Sequence, residues 1–199
     1  KVEVFLQKNL QMNNDSNIWT SWNKNIKHHF SNIHIVKSEK DIIDAVKSSK
    51  KIRLFGTKQS SSDIAAGTTD LIDIKEYNKI LNYDDLNRQI TFQSGILLKD
   101  LIEKIESKGW CIPCLPDINT ITIGGAIATG THGTNGHLLS EYITKCKLVL
   151  ADGMVIEITN KDELLDAVRV SLGTLGIFSE ITFQCEEAYT LHLKEGPEK

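Results

Sequence analysis

The chain has 199 residues, 40% of them hydrophobic, enough to bury a substantial core in one large domain or two small intertwined lobes. Its 23 basic and 26 acidic side chains leave a net charge of -3, so no global field gathers nucleic-acid backbone or anionic lipid. Apolar stretches such as Cys146 to Ala151 and Leu175 to Phe178 fall far short of the roughly 20 residues a bilayer span needs, so neither nucleic acid nor a membrane is an expected partner.

The chain opens on Lys1 rather than Met, and residues 1 to 10 lack the long apolar stretch and cleavage site of a secretory signal; the true N-terminus is expected upstream. The four cysteines are sparse for this length, which points to a reducing compartment and a cytoplasmic location rather than a disulfide framework.

Residues 1 to 17 hold little pattern beyond the apolar run Val2 to Leu6. The polar stretch Asn13 to Asn17 suits a flexible lead-in, with the fold starting near Ile18. Alternation from Ile33 to Val36 predicts a strand. Ser38, with Asp41 three places on, then starts a helix whose buried stripe is Ile42, Ile43 and Val46. Ile52, Leu54 and Phe55 form a second strand that runs into the turn-rich segment Gly56 to Asp63. Further strands are predicted at Leu71 to Ile74, Ile80 to Tyr83 and Gln89 to Gln93, the last two joined by a hairpin turn at Asp84 to Arg88.

Leu97, Leu98, Leu101, Ile102 and Ile105 recur at helical spacing, with Gly109 at the place of a C-terminal cap. Lys147 to Leu150 and Met154 to Ile158 flank Ala151-Asp152-Gly153 as a hairpin, Leu164 to Val168 reads as a helix, and Ile177 to Gln184 as a final strand. So many short strands among a few helices predict an α+β fold with mixed sheets. The aromatics Trp19, Trp22 and Trp110 read as core or interface residues.

Two segments carry chemistry. From Thr120 to Gly136 the chain reads TITIGGAIATGTHGTNG, with glycines among small and hydroxyl residues and no bulky charge. Glycine lets backbone amides approach a ligand closely, and Thr122, Thr129, Thr131 and Thr134 add hydroxyls beside them. The segment GTKQSSSD, Gly56 to Asp63, follows a strand and offers a run of amides with three serines, the chemistry of an anion cradle. Either alone could be an ordinary surface loop; two cradles in one domain imply a long ligand.

These segments resemble the FAD-binding (PCMH-type) domain of the vanillyl-alcohol oxidase superfamily, and within it the sugar-lactone and alditol oxidases, over nearly the whole chain from Trp19 to Gln184. The family pattern G-[TS]-x-H-S-x-[SN]-D stands here as Gly56 to Asp63. The block from Gly124-Gly125-Ala126 to Thr131-His132-Gly133 looks like its second cofactor loop. The Ala151-Asp152-Gly153 turn and Gly173-Thr174-Leu175-Gly176-Ile177 follow in family order. By that resemblance Leu54, Phe55, Gly56, Thr57, Lys58, Gln59 and Ser60 would bind the diphosphate. Asp117, Thr122, Gly125, Thr129, Gly130, Thr131 and His132 would line the cofactor, and Ile177 would contact it through its backbone. His132 could tune the flavin by hydrogen bonding or serve the loop's structure.

Many relatives attach the flavin covalently through the histidine of the first loop, where this chain has Gln59, whose amide cannot make that bond. The resemblance therefore implies FAD held noncovalently, at a lower reduction potential than a histidyl-linked flavin. It implies lobes at residues 18 to 80 and 81 to 185 with FAD extended between them, and residues 186 to 199 as a tail or the start of an absent substrate domain. It further implies oxidation of an alcohol carbon on a sugar-derived substrate, with hydride passing to flavin and oxygen or another acceptor reoxidising it. Substrate contacts and the general base lie on that further domain in the family, so no catalytic residue is assigned. The alternative is a non-catalytic or degenerate flavin-binding module.

Cys111-Ile112-Pro113-Cys114 is a CxxC pair, but no second pair completes a zinc site; Cys146 and Cys185 fall in expected strands and read as small buried hydrophobes. His132 with His137, and His28 with His29 in a polar helix or loop, are loosely placed for a metal, so none is expected. Neither GxGxxG at a strand–helix junction nor GxxxxGK[ST] is present.

Overall fold

Parallel and antiparallel ladders are segregated into separate sheets in the computed structural model, which describes residues 17–192. The expected lead-in lies outside these residues except for Asn17.

The described chain opens with a small hairpin, β1 (Ile18–Thr20) against β2 (Lys27–His29). Its polar sequence gave no strand signal. His28 and His29, expected in a helix or loop, lie in β2, and the His28 ring is 2.6 Å from the Thr68 carbonyl. The hairpin is held by Trp19, 1% exposed, which packs with Phe55, Ala65 and Leu71. Trp110 is buried as well, whereas Trp22 is exposed rather than in the core.

β3 (Asn32–Ile35) leads through α1 (Glu39–Ser48) to β4 (Ile52–Phe55), and β5 (Asp70–Asp73) lies between β3 and β4, parallel to both. Parallel strands need crossover connections: α1 carries the chain from β3 to β4 on either side of β5, and residues 56–69 carry it from β4 to β5. The helix starts where its capping box requires: Ser38 Oγ accepts from the Asp41 amide while the Asp41 carboxylate accepts from the Ser38 amide.

The larger sheet is antiparallel, in the order β10 (Val155–Thr159), β9 (Ile143–Val149), β11 (Ile177–Gln184), β7 (Gln89–Gln93), β6 (Ile80–Asp84). One face is covered by α2 (Leu98–Glu106) and α3 (Ile123–Ala128), with α4 (Leu164–Arg169) beside them. Phe92, Phe183, Leu101, Ile123 and Ile181 sit at the centre of that core. β8 (Trp110–Cys111) pairs with β12 (Glu186–Glu187), beyond the expected last strand. Gly109 has φ 71, but the C-cap of α2 is Ser107, so the glycine turns the chain two residues later than expected.

A smaller core joins the sheets: Ile42 and Val46 of α1 pack with Ile72, Ile74 and Tyr77, and with Val149 of β9. Across this seam Ser179 of β11 donates to the Glu39 carboxylate at 2.7 Å.

Candidate functional site

A cleft of about 260 Å³ opens at the carboxyl ends of β4 and β5, the end of a parallel sheet where ligands gather because the crossover loops leave backbone groups unpaired. β4 delivers Leu54 and Phe55 to it. The chain then lines it with Gly56, Thr57, Lys58, Gln59 and Ser60. From the other side come Thr122, Gly125, Thr129 and Thr131, and Ile177 at the start of β11. The two cradles therefore converge on one cavity. Asp117 and His132 do not line it, nor does Gly130; the first two are exposed, and the His132 ring lies 2.9 Å from the Gly133 carbonyl.

Several lining residues gave no signal of their own in the sequence. Trp19 enters from β1, Arg53 from β4, Ser94 from the end of β7, and Leu172 from the loop before β11. That loop is tied to α3 by the Leu172 amide donating to the Ala128 carbonyl at 3.0 Å. Gly173 and Gly176 lie in the segment already noted for its glycines.

The glycine-rich block is not an open loop. Its residues Ile123–Ala128 form α3, whose first amides are used within the protein: Ile123 donates to Ile96 and Gly124 to Ser94, at 2.9 and 2.8 Å. A Cβ on Gly124 would lie 2.9 Å from that of Ser94, so this glycine serves packing between α3 and the sheet. Gly56 is the tighter position: a Cβ there would meet Thr122 Oγ1 at 2.0 Å.

Hydroxyl chemistry at the rim is partly committed. Thr129 donates to the Gly125 carbonyl at 2.9 Å, leaving its oxygen lone pairs, and the Ser60 and Ser62 hydroxyls are 3.1 Å apart. Lys58 has φ 62, a left-handed conformation that costs a non-glycine residue about 1 kcal/mol. Its carbonyl accepts from the Trp22 amide at 2.9 Å, and its ammonium lies over the Phe55 and Trp19 rings at 5.1 and 5.9 Å. The strained residue is thus fixed from both ends.

The family model described as an FAD binding domain matches residues 31–159. The chain belongs to this FAD-binding domain family. Among its relatives, the L-gulonolactone oxidase of Scyliorhinus torazame is 34% identical over 152 residues, 74% of this chain and 34% of that protein. The putative D-arabinono-1,4-lactone oxidase of Neurospora crassa is 35% identical over 146 residues, 71% of this chain and 26% of the relative. The L-gulono-1,4-lactone dehydrogenase of Mycobacterium tuberculosis is 32% identical over 183 residues, 89% of this chain and 42% of the relative. The chain therefore spans between about a quarter and two fifths of the proteins it matches. The crystal structure of cholesterol oxidase from Brevibacterium sterolicum superposes with a TM-score of 0.75 at 16% identity, over 86% of this chain and 37% of that one, a likeness of fold.

As an FAD-binding domain, the chain offers what the cofactor requires. The cleft lining combines apolar Phe55, Ile64, Ile74 and Phe178 with the hydroxyl-bearing Thr57, Ser60 and Thr131, a mixture that suits a molecule with both a flat ring system and a diphosphate. Trp19 and Leu172 lie outside the matched segment yet line the same cleft, so the site reaches beyond it on both sides.

Among the described residues no group of three His, Cys, Asp or Glu side chains converges as a metal site. The Cys114 thiol is used internally, accepting from the Gly133 amide at 3.2 Å and donating to the His137 carbonyl at 3.1 Å. Cys146 is buried in β9, and Cys185 is buried just past β11 rather than within a strand. No described helix is long and apolar enough to cross a membrane.

Proposed function

We propose that this chain holds FAD noncovalently for an enzyme that oxidises an alcohol carbon of a sugar lactone or alditol. The observation that carries the reading is the convergence of residues 56–60 with Thr122, Gly125, Thr129 and Thr131 on one cleft within a chain that matches the FAD-binding family. The lactone substrate class is supported by the names of the relatives, which oxidise or dehydrogenate gulono- and arabinono-lactones.

Bound FAD supplies an acceptor for hydride from an alcohol carbon. The protein's own part is to position it. Gly56 and Gly125 keep side-chain bulk out of the loops that face the cofactor, and the hydroxyls of Thr57, Ser60, Thr122 and Thr131 give it hydrogen bonds. Phe55, Ile64, Ile74 and Phe178 give the cleft apolar surface that excludes water. In this reading residues 18–80 and 81–185 are the two lobes around the cofactor, the substrate domain and its catalytic base belong to a longer protein, and oxygen or another acceptor reoxidises the flavin. The free thiols of all four cysteines suit a reducing, cytoplasmic setting.

Titration with FAD should quench flavin fluorescence to saturation at one equivalent. The full-length protein should reduce its flavin under anaerobic conditions when given aldonolactones or alditols. A chain that binds no FAD sinks the reading; one that binds FAD in a full-length protein inert to every such substrate leaves only a binding module.

A further inference from the structure

The side chains lining the cleft include two cations, Arg53 and Lys58, and no aspartate or glutamate among the described residues. This is a local excess of positive charge in a chain whose net charge is -3. Several cationic side chains elsewhere find carboxylates, such as Lys37 with Glu76, Lys147 with Glu180 and Arg169 with Asp166, while others stand in open solvent. The two in the cleft have no such partner. The Arg53 guanidinium donates once, to the Leu172 carbonyl at 3.4 Å. Among the described residues the Lys58 ammonium makes no hydrogen bond or ion pair; its neighbours are the faces of Phe55 and Trp19, themselves part of the cleft wall.

An ammonium resting on two aromatic rings keeps its three donors unspent in a partly desolvated setting. Its backbone meanwhile adopts a conformation that glycine would adopt without strain. A residue that brings a strained backbone and an unpaired charge to one cavity is explained by what enters that cavity.

We infer that Lys58, supported by Arg53, is the counter-charge of the FAD diphosphate, so that in this chain a lysine side chain secures electrostatically a cofactor that Gln59 cannot hold by a bond. The inference rests on the FAD reading and adds a specific charged atom, Lys58 Nζ, to a loop otherwise credited only with backbone amides and hydroxyls. A charge-assisted hydrogen bond to phosphate is among the stronger non-covalent contacts, and the aromatic floor limits the water that would screen it.

The test measures FAD and riboflavin affinity by fluorescence quenching, at low and high salt, for the wild-type chain and for Lys58→Gly and Lys58→Arg, with the melting temperature of each apoprotein. Glycine removes the charge and relieves the backbone, so Lys58→Gly should melt no lower than wild type yet bind FAD about tenfold or more weaker at low salt. It should also lose most of the salt dependence of FAD binding. Lys58→Arg should restore both, and riboflavin, which lacks phosphate, should bind wild type and Lys58→Gly alike. Unchanged FAD affinity in Lys58→Gly overturns the inference while leaving the cofactor assignment intact. Equal weakening toward FAD and riboflavin also overturns it, and makes Lys58 part of the cleft's architecture. A wild-type chain that binds no FAD overturns the inference and the proposed function together.

Discussion

Gly56 and Thr122 touch so closely that a Cβ on the glycine would lie 2.0 Å from Thr122 Oγ1 and 2.7 Å from its methyl carbon. They belong to loops 66 residues apart in sequence, one leaving the parallel sheet and one entering α3 against the antiparallel sheet. The contact fixes the spacing between the two halves of the cleft.

Gly56→Ala should therefore act on the cleft before it acts on the fold. The added methyl must push the two loops apart, an overpacking cost of about 1–3 kcal/mol. The expected outcome is a lower urea midpoint together with a loss of FAD affinity greater than the stability change alone explains. Adding Thr122→Ala removes the two nearest clashing atoms and leaves Cβ, 2.9 Å away, so the double variant should recover part of both losses. Equal FAD affinity in wild type and Gly56→Ala would mean that the contact does not shape the site.

The contact also separates what the sequence discloses from what it conceals. α1 was legible because its start is set by neighbours, Ser38 and Asp41, and β11 because eight consecutive residues carry a strand pattern. The GTKQSSSD cradle was legible for the same local reason. α3 was not, because glycine disfavours helix; it forms where the Ile96 and Ser94 carbonyls take its first amides, a tertiary cause invisible in a local window. Trp19 and Leu172 lie 153 residues apart and gave no sign that they would share a cavity, since only the closed fold brings β1 beside the loop before β11.

Gln59 lines the cleft at the position where the family pattern it resembles has histidine, and a carboxamide has no nitrogen nucleophilic enough to hold a flavin methylene. Acid precipitation of the FAD-loaded chain should leave the pellet colourless and the supernatant yellow. Dye-equilibration titration should place its reduction potential below that of a histidyl-linked flavin. Colour that stays with denatured protein on a gel would contradict the noncovalent reading directly.

Stability should fall at both ends of the pH scale for different reasons. Backbone amides, first that of Lys37, hold the Asp41 carboxyl below its ordinary 3.8, and Asn32 does the same for Asp70. A carboxyl with a depressed folded pKa contributes stability above its unfolded value, which is lost as pH falls through the folded one; unfolding should therefore begin below about pH 4. Burial pushes the Cys146 and Cys185 thiols up to about 12. Their stability is complete below the unfolded value of 9.0 and drains away as pH rises toward 12. Cys146→Ala should flatten the alkaline limb of a melting-temperature profile and leave the acid limb in place. Both thiols should resist an aromatic disulfide reagent at pH 8 until denaturant is added.

The hydrogen bond from Ser179 to Glu39 offers an asymmetric test of how the sheets are joined. Ser179 is fully buried on β11, whereas Glu39 is half-buried in the first turn of α1. Removing the serine hydroxyl leaves a carboxylate that water can reach, so Ser179→Ala should cost little. Removing the carboxylate strands a buried hydroxyl, whose remaining partner is the Lys147 carbonyl at 3.5 Å, the limit of a hydrogen bond. Glu39→Ala should therefore cost about 1–3 kcal/mol in urea unfolding, the desolvation penalty of an unpaired polar group. The double variant should be no worse than Glu39→Ala alone, because the hydroxyl left unsatisfied is gone. Equal costs for the two single variants would show that the bond contributes its own energy rather than merely satisfying a group the fold has already buried.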